Sequence, residues 1–184
     1  MALASASALA LGAVAANAVL FPRVLLTAYL LRPALAQALW PLLAPPFALV
    51  VLTALAGLKA SRSHGAAPPP PANPLQLRAA LQMALVFQLV IWLTSLVDRW
   101  GGPSGLLATG AFLGVTDVDA LTISMAQLSG PAIPLAAQAV GVGILANTLF
   151  KLGLALSLGS ARYRLILGLV LTAVALLLGV GLVG

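Results

Sequence analysis

The chain has no cysteine, one histidine and three acidic residues among 184. Without cysteine there are no disulfides, no thiolate metal site and no cysteine nucleophile, and the redox compartment stays undetermined. The single histidine, His64, stands in a polar linker, so no histidine-based nucleophile–base pair accompanies any hydrophobic segment. Charged residues make up only 7%, whereas a soluble domain of this size carries about a quarter and needs them to cover its surface. No basic cluster interleaved with aromatics exists, which excludes a nucleic-acid-binding surface.

Apolar sequence fills that space. Hydrophobic residues reach 62%, mean hydropathy is +1.13, and the net charge of +6 comes from nine Lys or Arg scattered singly between apolar runs. Scattered cations of this kind are loop residues biased to one membrane face. With a window of about 20 residues the chain divides into six apolar segments, 3–31, 41–58, 75–97, 104–128, 132–158 and 163–183. The expected fold is therefore all-α: a polytopic transmembrane helix bundle forming a single integral-membrane domain over 1–184. Arg32 and Pro33 punctuate the first gap, and an amphipathic stretch at 34–40 leads into the second segment, which Pro45 and Pro46 are expected to kink. Residues 59–74 contain four consecutive prolines and read as an extended extramembrane linker. The small-x-small triplet at 16–18 resembles a signal cleavage site, yet no cation precedes the apolar run and hydrophobicity continues past Arg23, so a first membrane helix is expected.

Glycine and alanine recur at spacing four, in Gly110 with Gly114, Ala137 with Gly141, Ala139 with Gly143, and Gly153 with Ser157. Lipid provides little hydrophobic drive between helices, so backbones that approach closely at small residues supply the packing. Segments four and five are therefore expected to be crowded, and segments two and six to face lipid. A faint repeat relates Asn17, Phe21 and Arg23 to Asn147, Phe150 and Lys151, with an asparagine inside each helix and a cation four to six residues later. Paired halves of this kind frame binding sites in many secondary transporters.

The chemistry concentrates at Asp117 and Asp119, one residue apart inside segment four. A carboxylate at bilayer depth costs roughly 2.5–3.5 kcal/mol on insertion scales, and such residues usually serve a function. In a regular helix these two would point about 200° apart. Both can serve one site only if the helix is broken or re-entrant near 114–119, which Gly114 and Thr116 permit. Otherwise Asp119 shares a face with Thr122, and Asp117 with Ser124. Asn147 and Lys151, one turn apart on segment five, are the candidate partners, and Arg23 is a further contact for either acid. Three readings follow. Thr116, Asp117, Asp119, Thr122, Asn147 and Lys151 line a path for a cation or proton, with Asp117 and Asp119 as oxygen ligands for a hard divalent cation. Alternatively an Asp–Lys151 pair locks helices together, or the two acids are catalytic. The third lacks a companion nucleophile, so no enzymatic activity is expected, and no cofactor beyond a bound divalent cation.

The stretch Ala111-Phe-Leu-Gly-Val-Thr-Asp-Val-Asp-Ala-Leu-Thr-Ile-Ser-Met125, followed by Ala146-Asn-Thr-Leu-Phe-Lys151, resembles the uncharacterised C-terminal membrane domain of MgtC/SapB-type bacterial proteins. The likeness extends loosely over almost the whole chain, including Arg23-Val-Leu25, and is sharpest at Thr116 to Ala120. It implies a multi-pass protein of the bacterial inner membrane, linked by the family's name to magnesium homeostasis. The expected function is a transport module for a small cation, Mg²⁺ or proton-coupled, with a non-transporting subunit that modulates another membrane protein as the alternative. This chain departs from the pattern in lacking a preceding MgtC domain and an expected earlier helix. It reads as a fragment, or as a stand-alone version that forms a homo-oligomer or joins a membrane-protein partner within the lipid bilayer.

Overall fold

A computed structural model describes residues 2–61, 103–127 and 133–184, with Leu81, Leu85 and Gln88 as isolated helical positions between them. The helices are α1 (Ala2–Leu31), α2 (Pro33–Ser61), α3 (Pro103–Thr116), α4 (Val118–Gln127), α5 (Ile133–Leu158) and α6 (Ala161–Val183). All described regular structure is helical, as the hydropathy pattern requires. Within it, Leu9–Leu31, Pro33–Leu58, Ile133–Leu158 and Ala161–Val183 are long and apolar enough to cross a membrane. Apart from Leu81, Leu85 and Gln88, the segment at 75–97 lies outside the described residues, as does most of the linker at 59–74.

Only Arg32 separates α1 from α2, and the two helices form an antiparallel hairpin. Midway along the pair the Phe21 and Phe47 rings lie 6.0 Å apart, and further from the turn Gly57 of α2 faces Leu11 of α1. Proline opens both α2 and α3, where its missing N–H costs nothing. The second segment differs from its expected bounds. It begins at Pro33 rather than 41, absorbs the amphipathic stretch, and stays helical through Pro41, Pro45 and Pro46 to Ser61. Likewise α1 continues through Pro22. Helices in lipid tolerate such prolines where neighbouring helices pack around the freed carbonyls, and Pro46 is itself buried.

Helix α5 is the centre of the bundle. It packs against α2, α3, α4 and α6. It runs antiparallel to α6, with Leu156 against Gly168 and Leu182 against Gly141. The turn at Gly159 and Ser160 is closed by the Arg164 side chain, which donates to the carbonyls of Gly159 and Ser157 at the end of α5. It satisfies acceptors that a helix end leaves open. Against α3 the packing is parallel and very close. Gly110 meets Ala139 and Gly114 meets Gly143, and a Cβ added to Gly110 would stand 2.6 Å from the Ala139 carbonyl oxygen. These are the small-residue pairs the spacing marked. By contrast, Gly153 has open space around it, so the fourth pair does not pack helices among the described residues. Leu35, Leu39 and Leu43 of α2, Val14, Phe21 and Val24 of α1, and Leu171 and Leu178 of α6 complete the core. The outward faces stay apolar: Leu165, Leu169, Leu176 and Val180 of α6 are each more than 60% exposed. In hydrocarbon such a surface carries no penalty.

Candidate functional site

Segment four does not cross as one rod. One residue, Asp117, separates α3 from α4. Its backbone N–H still donates to the Leu113 carbonyl at 2.7 Å, and the Leu121 N–H donates to its carbonyl at 3.1 Å. The side chain makes the break. Asp117 Oδ1 accepts from the backbone N–H groups of Asp119 at 2.9 Å and Ala120 at 3.1 Å, an N-cap that satisfies two open donors of α4. The negative charge also faces the positive end of the helix dipole. Beyond the break α4 turns aside. Leu121 packs on Gly143, the same residue that Gly114 faces, whereas a straight helix would carry it about 10 Å further along. The interruption expected near 114–119 is present.

Two neighbours hold the broken ends. Thr116 Oγ1 donates to the Leu113 carbonyl at 2.9 Å. From α5, Asn147 Nδ2 donates to the Gly114 carbonyl at 2.9 Å. Gly114 lies in the last turn of α3, where carbonyls lose their helical partners, and lipid offers no water to replace them. The other amide atom, Asn147 Oδ1, is buried and without a hydrogen-bond partner among the described residues.

The acids have separate environments. Asp117 is exposed, and beyond the cap its Oδ2 makes no hydrogen bond or ion pair among the described residues. Asp119 is held by Arg23 of α1, with Nε to Oδ1 at 3.0 Å and Nη2 to Oδ2 at 2.7 Å. Two parallel contacts of this kind match a guanidinium fork to a carboxylate. The pair ties α1 to α4 across 96 residues of sequence.

The pairing of either acid with Lys151 is corrected. Lys151 Nζ donates to Asn17 Oδ1 of α1 at 3.0 Å, and the recorded ion pair of the described residues belongs to Arg23. Arg23 engages both oxygens of Asp119 with its planar fork. Thr122 is fully buried and donates to the Val118 carbonyl of its own helix at 2.7 Å, as Thr148 does to Ile144. Sequence reasoning placed Asn17 in the faint repeat and in the small-x-small triplet at 16–18, and gave it no partner. Its signal was the one available, an amide inside a predominantly apolar helix. No cluster of three or more His, Cys, Asp or Glu occurs among the described residues. A divalent cation at Asp117 and Asp119 would need the Arg23 contact to open.

A bundle of apolar helices around a capped helix break defines the chain as a helical membrane-type protein. It belongs to the family described as "Domain of unknown function (DUF4010)", which matches residues 2–159. It is also similar to an "Uncharacterized protein" of Aquifex aeolicus (strain VF5), at 26% identity over 152 residues, covering 80% of this chain and 66% of that protein. The chain thus spans just under two thirds of that relative's length. No solved structure matches. Neither relationship names the MgtC/SapB proteins.

Proposed function

We propose that the chain is a multi-pass module of a bacterial inner membrane that moves a small cation, Mg²⁺ or a cation coupled to protons. The observation that carries this reading is the break at Asp117, where a carboxylate stands exposed at a helix interruption within an apolar bundle. Interrupted helices at membrane depth are tolerated where they line a cavity or a polar path, and they present helix ends and carbonyls to ions. Among the described residues Asp117 Oδ2 is the free oxygen ligand and Asn147 Oδ1 is a buried acceptor without a donor, and Asp119 becomes available when Arg23 swings off. Thr116, Thr122 and Lys151 flank these groups on α3, α4 and α5. The location and the link to MgtC/SapB-type proteins rest on the resemblance around Thr116 to Ala120.

Ion flux into proteoliposomes holding the full chain tests the reading. Uptake of Mg²⁺, Na⁺ or protons above empty vesicles, abolished by the double Asp117→Asn, Asp119→Asn change, supports it. Flux equal to that of empty vesicles for every ion removes it.

One observation favours a second reading, a non-transporting subunit that binds another membrane protein. The two-point Arg23–Asp119 contact has the form of a lock between helices, and a fixed lock needs no path beside it. In that case exchanging the two charges restores the fold completely and no ion moves.

A further inference from the structure

Helix α5 (Ile133–Leu158) runs the depth of the bundle, and its contacts give the other helices a level. Gly110 meets Ala139 and Gly114 meets Gly143, so α3 starts at the Ile133 end and runs parallel to α5. Asn147, near the middle of α5, reaches the Gly114 carbonyl, so α3 stops about halfway. At 14 and 10 residues, α3 and α4 are about 21 Å and 15 Å long, and neither alone crosses a hydrocarbon core of about 30 Å. Chain length fixes the direction of α4. Six residue steps join Gln127 to Ile133, a reach of at most about 21 Å. Had α4 continued in line with α3, Gln127 would stand roughly 35 Å along the axis from Ile133. It therefore turns back, which is also why Leu121 packs on Gly143 rather than on a later turn of α5. Helices α3 and α4 form a re-entrant hairpin with Asp117 at its tip, and both legs lie in the Ile133 half of the bundle.

The two ends of the bundle differ in charge. Lys151 meets Asn17, and Asp119 meets Arg23 further along α1, so α1 runs opposite to α5 and its turn into α2 at Arg32 falls at the Ile133 end. Leu42 beside Gly141 puts the start of α2 there as well. The other end holds the last turn of α2 and the α5–α6 turn. Among the described residues that end carries Lys59, Arg162 and Arg164, whereas the Ile133 end carries Arg32. Cations close to membrane helix ends concentrate on the cytoplasmic side.

We propose that water reaches Asp117 from the face bearing Lys59, Arg162 and Arg164, that this face is cytoplasmic, and that the α3–α4 hairpin separates the carboxylate from the opposite face. Asp117 is exposed at the level of mid-α5, and a carboxylate at that depth needs water or a polar partner. Re-entrant backbone is tolerated where it is buried in protein or lines a water-filled cavity. The two legs occupy the route from the Arg32 face, pressed on α5 at Gly110, Gly114 and Leu121. The inference deepens the transport reading and rests on it only for what the site takes, a cation entering from the cytoplasm. Access itself is measured by labelling rather than by flux.

The chain has no cysteine, so single cysteines report sidedness without background. Ala34→Cys marks the Arg32 end and Ser160→Cys the other, both at exposed positions, and Asp117→Cys marks the tip. Each full-length variant is expressed in a bacterial membrane and treated with a membrane-impermeant maleimide, in spheroplasts and in inverted vesicles. Ala34→Cys should label in spheroplasts, and Ser160→Cys and Asp117→Cys in inverted vesicles. A charged methanethiosulfonate applied first to the inverted vesicles should abolish the Asp117→Cys signal. Ala120→Cys, whose backbone N–H donates to the Asp117 carboxylate, gives the same readout if Asp117→Cys does not fold. The proposal is overturned if the tip labels from the Ala34 face, from both faces, or from neither while reacting in detergent. Labelling of Ser160→Cys in spheroplasts overturns the cytoplasmic assignment. One-sided labelling without ion flux upholds the access and removes transport, whereas flux with the tip labelled from the Ala34 face does the reverse.

Discussion

The side-chain amide of Asn147 donates to the backbone carbonyl of Gly114 across the α3–α5 seam, at 2.9 Å. The contact exists because two features coincide. Glycines at 114 and 143 let the two backbones approach, and the break at Asp117 leaves the last carbonyls of α3 seeking donors.

Replacing Asn147 by Leu should therefore destabilise the bundle, though by only about 1 kcal/mol. The Gly114 carbonyl loses its donor, but the unpartnered Asn147 Oδ1 disappears too and offsets part of the loss. Asn147→Asp should cost more, since a carboxylate oxygen would then face the carbonyl. Unfolding in mixed micelles at neutral pH should rank wild type above Asn147→Leu and that above Asn147→Asp. Equal stability of all three would show that the Gly114 carbonyl needs no donor from α5.

The close seam gives a sharper contrast. A Cβ at Gly114 would run into the backbone of Gly143, where nothing flexible can give way, whereas one at Gly153 meets nothing within 4 Å. Gly114→Ala should cost about 1–3 kcal/mol, as overpacked sites do. Gly153→Ala should be neutral, or stabilising by up to about 1 kcal/mol from helix propensity. Melting temperatures of the two alanine variants check this. A seam that tolerates alanine at 114 would mean that the helices stand further apart.

These contrasts mark what could be read from the chain alone. Gly110, Gly114, Ala139 and Gly143 were legible because close helix contact in lipid restricts residue size at fixed spacing, and that restriction is written locally. The break was expected on the assumption that both acids serve one site, but it arises because Asp117 caps α4, while Asp119 pairs with Arg23. Partner choice was not local. Asp119 could have met Arg23 or Lys151, and only the fold, which brings α1 against α4, decides for Arg23. The start of α2 was misread because the amphipathic stretch at 34–40 reads as a connection before the apolar run, whereas the helix begins at Pro33 and carries Pro41, Pro45 and Pro46 without ending. Asn17 stood out as an amide in a mostly apolar helix, but its partner lies 134 residues away and could not be read locally.

The Arg23–Asp119 pair should behave as a coupled unit. Arg23→Gln and Asp119→Asn each remove one half, and a double-mutant cycle in micelles should yield a coupling above the roughly 1 kcal/mol that exposed pairs reach in water. Reversing both charges should recover most of the stability lost by either single reversal. Strict additivity of the single changes would show that the pair contributes nothing to holding α1 on α4.

Asp117 has two separable parts, the cap made by Oδ1 and the charge carried by the group as a whole. Asparagine keeps an oxygen that can accept from the N–H groups of Asp119 and Ala120, whereas alanine keeps neither cap nor charge. Asp117→Ala should therefore lose about 0.5–2 kcal/mol, the usual cost of removing an N-cap, while Asp117→Asn should unfold close to wild type. Flux should follow a different order. If the carboxylate receives a cation, Asp117→Asn stops transport in a protein that is still folded, and Asp117→Ala stops it as well. Melting and proteoliposome flux measured on the same preparations separate the two roles. A fully active Asp117→Asn would make Asp117 a helix cap and nothing more, and the cation path would have to be sought away from the break.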